Sequence, residues 1–240
     1  MRFKNVLRVT WVICTFFFMN VPNIMSQELS LNADVVSSYV WRGQYQYNDG
    51  PSIQPSLFLT MNGFSVGFWG STDFQSAKEF DIQLTYSRNN FTIGVCDYWW
   101  NGQLRNGLSD NHYFSYRNKY TSHLVEVLLS YQFGETFPLS LSWNTMLYGA
   151  DKDEKGNTMY SSYAEIAYSA ELKGVDLDFG VGFVPYKSLL YNSNAFSVTN
   201  IYLKGSKNIP ITDKYVLPIF VQVIFNPRSE DCHLVFGISF

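Results

Sequence analysis

Past residue 26 this chain has no uninterrupted apolar run long enough to cross a bilayer as a helix, which takes about 20 residues. Helical periodicity is hard to find anywhere, so a helix bundle is excluded. Charge is scarce, at 15% of residues, and no basic stripe is present, which excludes a nucleic-acid surface. Of three cysteines, only Cys96 and Cys232 lie beyond residue 26. Their positions put them on distant strands and opposite faces, a geometry that does not favour a disulfide. No Cys/His set has zinc spacing, and no glycine-rich loop suits a phosphate. Neither a metal nor a cofactor is expected.

What the sequence does contain is an export signal, aromatic residues and alternation. Arg2, Lys4 and Arg8 precede an apolar run from Val9 to Met19, and Ser26 offers a small residue before a cleavage point. Residues 1–26 therefore read as a signal peptide and 27–240 as one exported domain. The chain has 17 Tyr and 20 Phe, enough to make rings a structural theme. In 175–183, Val175, Leu177, Phe179, Val181 and Phe183 alternate with Asp176, Asp178, Gly180 and Gly182. Such period-two patterning marks strands with one apolar face. Twelve strands are expected, at 29–42, 52–61, 64–73, 79–88, 91–100, 121–132, 138–148, 160–171, 175–186, 196–204, 215–225 and 232–240. Export, the lack of a long apolar helix and the many aromatic residues leave two classes, a secreted β-sandwich or an outer-membrane barrel; the expected fold class is all-β, an antiparallel up-and-down transmembrane barrel of about 12 strands.

Turns support that topology. Asn62-Gly63, Asn89-Asn90, Gly134–Phe137 and Lys173-Gly174 are short, and Gly205–Lys214 is read as a longer connection at the same end. Asn-Gly is a strong two-residue hairpin signal. The opposite end has longer, more polar connections, chiefly Gly43–Pro51, Asn101–Tyr120, Ala150–Met159 and Lys187–Ala195. Short turns on one side and long loops on the other are the outer-membrane pattern. Aromatic residues collect near strand ends, with Tyr39, Trp41, Tyr98, Trp99 and Trp100 read at the outer level. Tyr86, Tyr131, Phe133, Tyr168 and Phe240 are read at the periplasmic level, as interfacial girdles.

The last strand, Cys232–Phe240, alternates to its final residue, with Leu234, Phe236, Ile238 and Phe240 on one face. Phe236, Ile238 and the terminal Phe240 resemble the assembly signal of bacterial outer-membrane barrels. The resemblance implies barrel-assembly machinery and outer-membrane lipid as partners. A second resemblance runs through Ser37-Ser38-Tyr39-Val40-Trp41-Arg42-Gly43, Pro51-Ser52-Ile53-Gln54-Pro55 and Gly63–Ser71. These segments resemble the TorF family of porins, also called the Gly-Cys-Trp family of uncharacterised exported bacterial proteins. The resemblance implies a signal-bearing β-barrel in the outer membrane. The cysteine of the family's name is Phe68 here.

The polar phase of the strands nominates an inward set: Asp34, Arg42, Asp81, Gln83, Glu126, Glu165, Asp176, Asp178, Lys204 and His233. Trp69 is expected to face inward near the outer mouth, beside Arg42 or its loop; an Arg42–Trp69 cation–π pair would serve as a clamp closing the barrel top or as a ligand contact. Catalysis finds little support. The three histidines have Phe114, Val125 and Val235 two residues on, so a lipid-modifying enzyme with a His and a Ser on one strand face is disfavoured. Asp110 and His112 share a phase only within a loop. The expected function is a narrow porin-like channel for small polar solutes. The alternative is a non-conducting barrel whose outer loops bind a ligand or partner. Acids outnumber bases in the inward set, so an open lumen should favour cations. Asp176 and Asp178 would either line such a pore, with Gly180 and Gly182 leaving room beside them, or pair with Arg42 or Lys204 and form a plug.

Overall fold

A computed structural model describes residues 27–46, 50–75, 78–100, 112–117, 121–134 and 136–240. The expected signal at 1–26, and most of the long connection 101–120, lie outside the described residues. Twelve long strands close into one antiparallel barrel. They are β1 (Gln27–Val36), β4 (Ser52–Met61), β5 (Phe64–Thr72), β6 (Lys78–Arg88), β7 (Phe91–Trp100), β8 (His123–Gln132), β9 (Leu139–Gly149), β10 (Ser162–Leu172), β11 (Val175–Val184), β12 (Ser197–Thr212), β13 (Tyr215–Asn226) and β14 (Asp231–Ser239). Each pairs with its sequence neighbour, and β1 closes the ring by pairing with β14. Closure leaves no strand edge unpaired. We call the end where β1 begins and β14 finishes the base, and the other the mouth.

Two expectations about these elements are corrected. The chain leaves the wall at Val36, so the first strand does not run to Arg42. A separate hairpin follows, β2 (Val40–Trp41) and β3 (Gln44–Tyr45), with Arg42-Gly43 as its two-residue loop. Arg42 and Gly43 both have positive φ, 51° and 81°, the signature of the tight turn that matches strand twist. The second correction is at 205–214. Here β12 continues to Thr212, and only Asp213 and Lys214 separate it from β13. Pro210 lies within this strand; the register shifts between Pro210 and Thr212, the kind of irregularity that accommodates a residue without an N–H.

The outer surface is apolar. Leu29, Leu31, Leu59, Leu84, Ile93, Phe179, Leu203, Val221, Leu234 and Phe236 are all exposed on it. The interior differs between its two halves. Near the mouth it is packed, with Cys96, Tyr98, Trp100, Leu124 and Met146 in one cluster and Tyr163, Val184 and Tyr191 in another. Toward the base, Asp178 and Lys204 are partly exposed and Asp176 is exposed. Trp41, Tyr98 and Trp100, expected at the outer membrane level, are instead part of the inner packing: Trp41 meets Tyr98 and Trp100 edge-on at 5.9 and 5.8 Å.

The terminal residue takes part in closure. Phe240 donates its N–H to the Ala33 carbonyl at 3.0 Å and accepts from Ala33 N–H at 3.2 Å. Beyond these, the β1–β14 register matches only Asp34, Val35 and Val36 to strand partners. Deleting Phe240 removes this pair from a short seam. Folded barrel recovered from membranes is expected to fall several-fold relative to the intact chain. Equal recovery by heat-modifiable gel mobility would contradict this.

Candidate functional site

The β2–β3 hairpin does not sit at the mouth as a surface loop. It turns inward and crosses the lumen, because its tip finds partners on walls far from β1. Arg42 reaches Glu126 of β8 with both nitrogens, Nη1–Oε1 at 2.6 Å and Nη2–Oε2 at 2.8 Å. This fork-on-carboxylate geometry is the strongest ordinary form of ion pair. Glu126 has no exposure and also accepts from the Tyr98 hydroxyl at 2.8 Å. Arg42 Nη1 donates to the Tyr191 hydroxyl as well. Burial pushes the Tyr191 phenol above its ordinary range, so it stays neutral and accepts from the guanidinium.

Aromatic faces complete the enclosure. The Arg42 guanidinium carbon lies 4.5 Å from the Trp41 ring centre and 4.7 Å from that of Tyr163. Trp41 stacks on Tyr191 at 5.7 Å. The other side of the hairpin tip is pressed against β12, β13 and β14. The Gly43 carbonyl accepts from Asn226 Nδ2 at 2.9 Å, and His233 Nε2 lies 3.3 Å away. Tyr45 meets the His233 ring at 4.0 Å. A Cβ on Gly43 would lie 1.9 Å from the Thr199 carbonyl oxygen, so only glycine fits there.

The turn shares its backbone with two others in the barrel, Asn62-Gly63 at φ 52° and 82° and Lys173-Gly174 at φ 53° and 73°. Glu126, Tyr191 and Tyr163 hold the Arg42 side chain.

The other inward candidates are distributed unevenly. Asp81 is buried on β6, with Oδ1 lacking a hydrogen-bond partner, and His233 is buried with Nδ1 lacking one. Glu165 accepts from the Tyr202 hydroxyl at 3.1 Å and from that of Tyr163. Asp34 accepts from Asn32 at 3.1 Å and Asp178 from Ser169 at 2.7 Å. The structure joins Arg42 to Glu126 and brings His233 to the hairpin. It leaves Asp176, Asp178 and Lys204 below the hairpin, and Asp34 apart from it on β1.

Three expectations about side-chain partners are corrected. Trp69 does face Tyr39, at 5.4 Å, but Arg42 is stacked on Trp41 and Tyr163, because the inward turn carries it beyond the reach of β5. Arg42 and Lys204 do not hold Asp176 and Asp178: Arg42 is on Glu126, and Lys204 Nζ lies 4.4 Å from the Phe220 ring centre. Gly180 and Gly182 leave no open gap. Tyr202 covers the first and Tyr163 the second, where added Cβ atoms would fall 2.3 Å from the Tyr202 ring and 1.9 Å from the Tyr163 hydroxyl.

Sequence reasoning missed Tyr98, Tyr163 and Tyr191. Tyr98 shares the inward phase of Cys96, which pairs with Glu126 across β7 and β8, so register alone could have found it. Tyr191 lies in a loop and has no periodic signal. A second missed arrangement is an Asp–His pair on the outward face, His123 Nδ1 to Asp97 Oδ1 at 2.9 Å. The His123 Nε2 meets the Tyr113 carbonyl and Tyr116 stacks on the ring at 3.9 Å. Both ring nitrogens are thus engaged, and the pair fastens segment 112–117 to the wall. Among the described residues no group of three His, Cys, Asp or Glu side chains is placed to hold a metal ion.

No curated protein matches the chain in sequence. Residues 24–182, the stretch that contains the hairpin, Glu126, Tyr98 and Tyr163, match the family model of bacterial proteins of unknown function called Gcw_chp, and the chain belongs to that family.

Proposed function

We propose that this protein is an outer-membrane barrel that acts as a narrow, gated channel for small polar solutes, with the β2–β3 hairpin as its gate. One observation carries the reading: the lumen is stoppered at the mouth by a short hairpin of the chain itself, while the basal half keeps a polar, partly exposed lining. An apolar outer face around a closed sheet suits lipid, where no strand edge survives. Orientation follows the outer-membrane pattern, with the short-turn base periplasmic and the mouth outside.

The interface between hairpin and wall suits opening. Beside the aromatic packing of Trp41 it makes polar contacts, and several buried polar atoms around it lack partners: Gln44 Nε2, Thr199 Oγ1, Asn200 Oδ1 and His233 Nδ1. Water entering the opened lumen satisfies these groups, which offsets part of the cost of withdrawal. The ion pair works the other way, since removing one partner of a buried pair costs about 3–5 kcal/mol.

Planar-bilayer recording tests the reading. The native barrel should be mostly closed, with brief openings, and Glu126→Gln should raise the open fraction at least several-fold. A folded Glu126→Gln barrel that never conducts would defeat the channel reading. The non-conducting alternative, a barrel with binding loops, would then stand, favoured by the completeness of the packing around Trp41 and Tyr191.

Selectivity provides a separate expectation. Asp176 and Asp178 lie below the hairpin and take no part in its attachment. Changing both to Asn should leave the open fraction unchanged but reduce cation preference, most visibly in dilute salt, where screening is weak. A reversal potential that does not move in dilute salt would remove these carboxylates from the solute path.

A further inference from the structure

The barrel wall around Arg42 has the composition of a binding site whose occupant happens to be part of the chain. Beneath the hairpin the wall supplies a carboxylate, Glu126, which is fully buried with Arg42 in place. Beside it stand three phenols, from Tyr98 on β7, Tyr163 on β10 and Tyr191 in the loop after β11, all buried. Glu126 is held by the Tyr98 hydroxyl at 2.8 Å, which fixes its plane toward the lumen. The Tyr163 hydroxyl is engaged with Glu165, so its ring face is what it offers to the cage. A buried carboxylate among aromatic faces suits a flat or quaternary organic cation, through a bidentate ion pair and cation–π contacts.

From this geometry we infer that the Glu126–Tyr98–Tyr163–Tyr191 cage is a binding site for small organic cations bearing a guanidinium group, and that Arg42 is its resident ligand. A free guanidinium compound competes with Arg42 for Glu126, so the solute class and the gate are linked at one carboxylate. The turn backbone does not by itself select arginine, since Lys173 holds the same position at φ 53° in another two-residue turn of the barrel; the assignment rests on the cage. The inference rests on the gated-channel reading for its biological sense, but the site can be tested without any current flowing.

The test uses the full-length barrel folded in detergent, with methylguanidinium chloride as probe and sodium chloride at equal ionic strength as control. Arg42→Asn keeps the turn in a conformation asparagine tolerates and vacates the cage. The variant should bind methylguanidinium saturably in calorimetry, at least tenfold more tightly than the native barrel, whose cage is filled. Adding Glu126→Gln to Arg42→Asn should abolish that binding. If Arg42→Asn does not fold alone, methylguanidinium present during refolding should restore the heat-modifiable folded band while sodium chloride does not. Absence of saturable binding by the folded variant, equal binding after Glu126→Gln, or absence of refolding rescue overturns the inference. Binding without conductance in the bilayer would defeat the channel reading and leave the cation site standing.

Discussion

Gly43→Ala should expel the hairpin from the lumen. The new methyl would meet the Thr199 carbonyl oxygen at 1.9 Å, and the next contacts, Thr199 C and Asn200 Cα at 3.0 and 3.3 Å, are backbone too. Backbone in a paired strand cannot swing aside as a side-chain tip does. Alanine at φ 81° adds strain of about 1–3 kcal/mol in its own right. The wall is held by backbone ladders on both sides of β12, whereas β2 and β3 form a ladder only with each other, so the hairpin is the part that moves. Its departure strips Glu126 of Arg42 and Gly43 of Asn226. The expected results are a persistently conducting barrel, protease access to 37–46 and a lower melting temperature, with the far-UV strand signal retained. Gly63→Ala is the internal comparison. It has the same φ, and its added Cβ would meet the Ser87 carbonyl at 2.3 Å, but it lies at a base turn remote from the hairpin. It should destabilise without opening. A Gly43→Ala barrel that remains closed and protected would show that the hairpin is not the gate.

Much of this architecture was legible because a closed antiparallel barrel repeats one rule. Alternation in β11 or β14 states which residues face out, and Asn62-Gly63 or Lys173-Gly174 states where the chain reverses. Register then carries the inward phase around the ring, which is why Glu126, Asp81 and His233 were found among the buried residues. The hairpin was not legible for a physical reason. Alternation from Asp34 through Ser38 to Arg42 continues smoothly in sequence, and nothing in it states that the chain turns into the lumen at Ser37. That turn is decided by tertiary partners on β7, β8 and β12 to β14, far away along the chain. Glycine was misread in the same way. Gly180 and Gly182 look like vacancies to a pattern, but each is small because a tyrosine from a neighbouring strand lies across it. The site's aromatic walls share this origin: Tyr163 and Tyr191 meet only because β10 and the loop after β11 converge on Arg42.

Phe179→Arg should be the most damaging single change on the outer wall. Phe179 lies midway along β11, is 48% exposed, and pairs with Tyr168 and Leu203 on its two sides. In lipid an arginine at mid-depth costs about 2–4 kcal/mol, because no partner there replaces its water. In buffer the same change would be neutral or favourable, since an exposed apolar ring would be replaced by a charge. The sign of the effect therefore reports the solvent around the wall. The inward neighbour offers a contrast within the same strand. Gly180→Ser brings a Cβ to 2.3 Å from the Tyr202 ring, which must shift while keeping its bond to Glu165, an overpacking cost of about 1–3 kcal/mol in any medium. Urea titrations of the folded barrel in vesicles should thus show both variants destabilised, Phe179→Arg the more strongly. Vesicles of shorter-chain lipid, with a thinner hydrocarbon core, should soften the Phe179→Arg penalty and leave that of Gly180→Ser unchanged. If Phe179→Arg is as stable as the native chain in vesicles, or the native chain folds fully in buffer without lipid or detergent, the wall does not face a membrane and the channel reading falls with it.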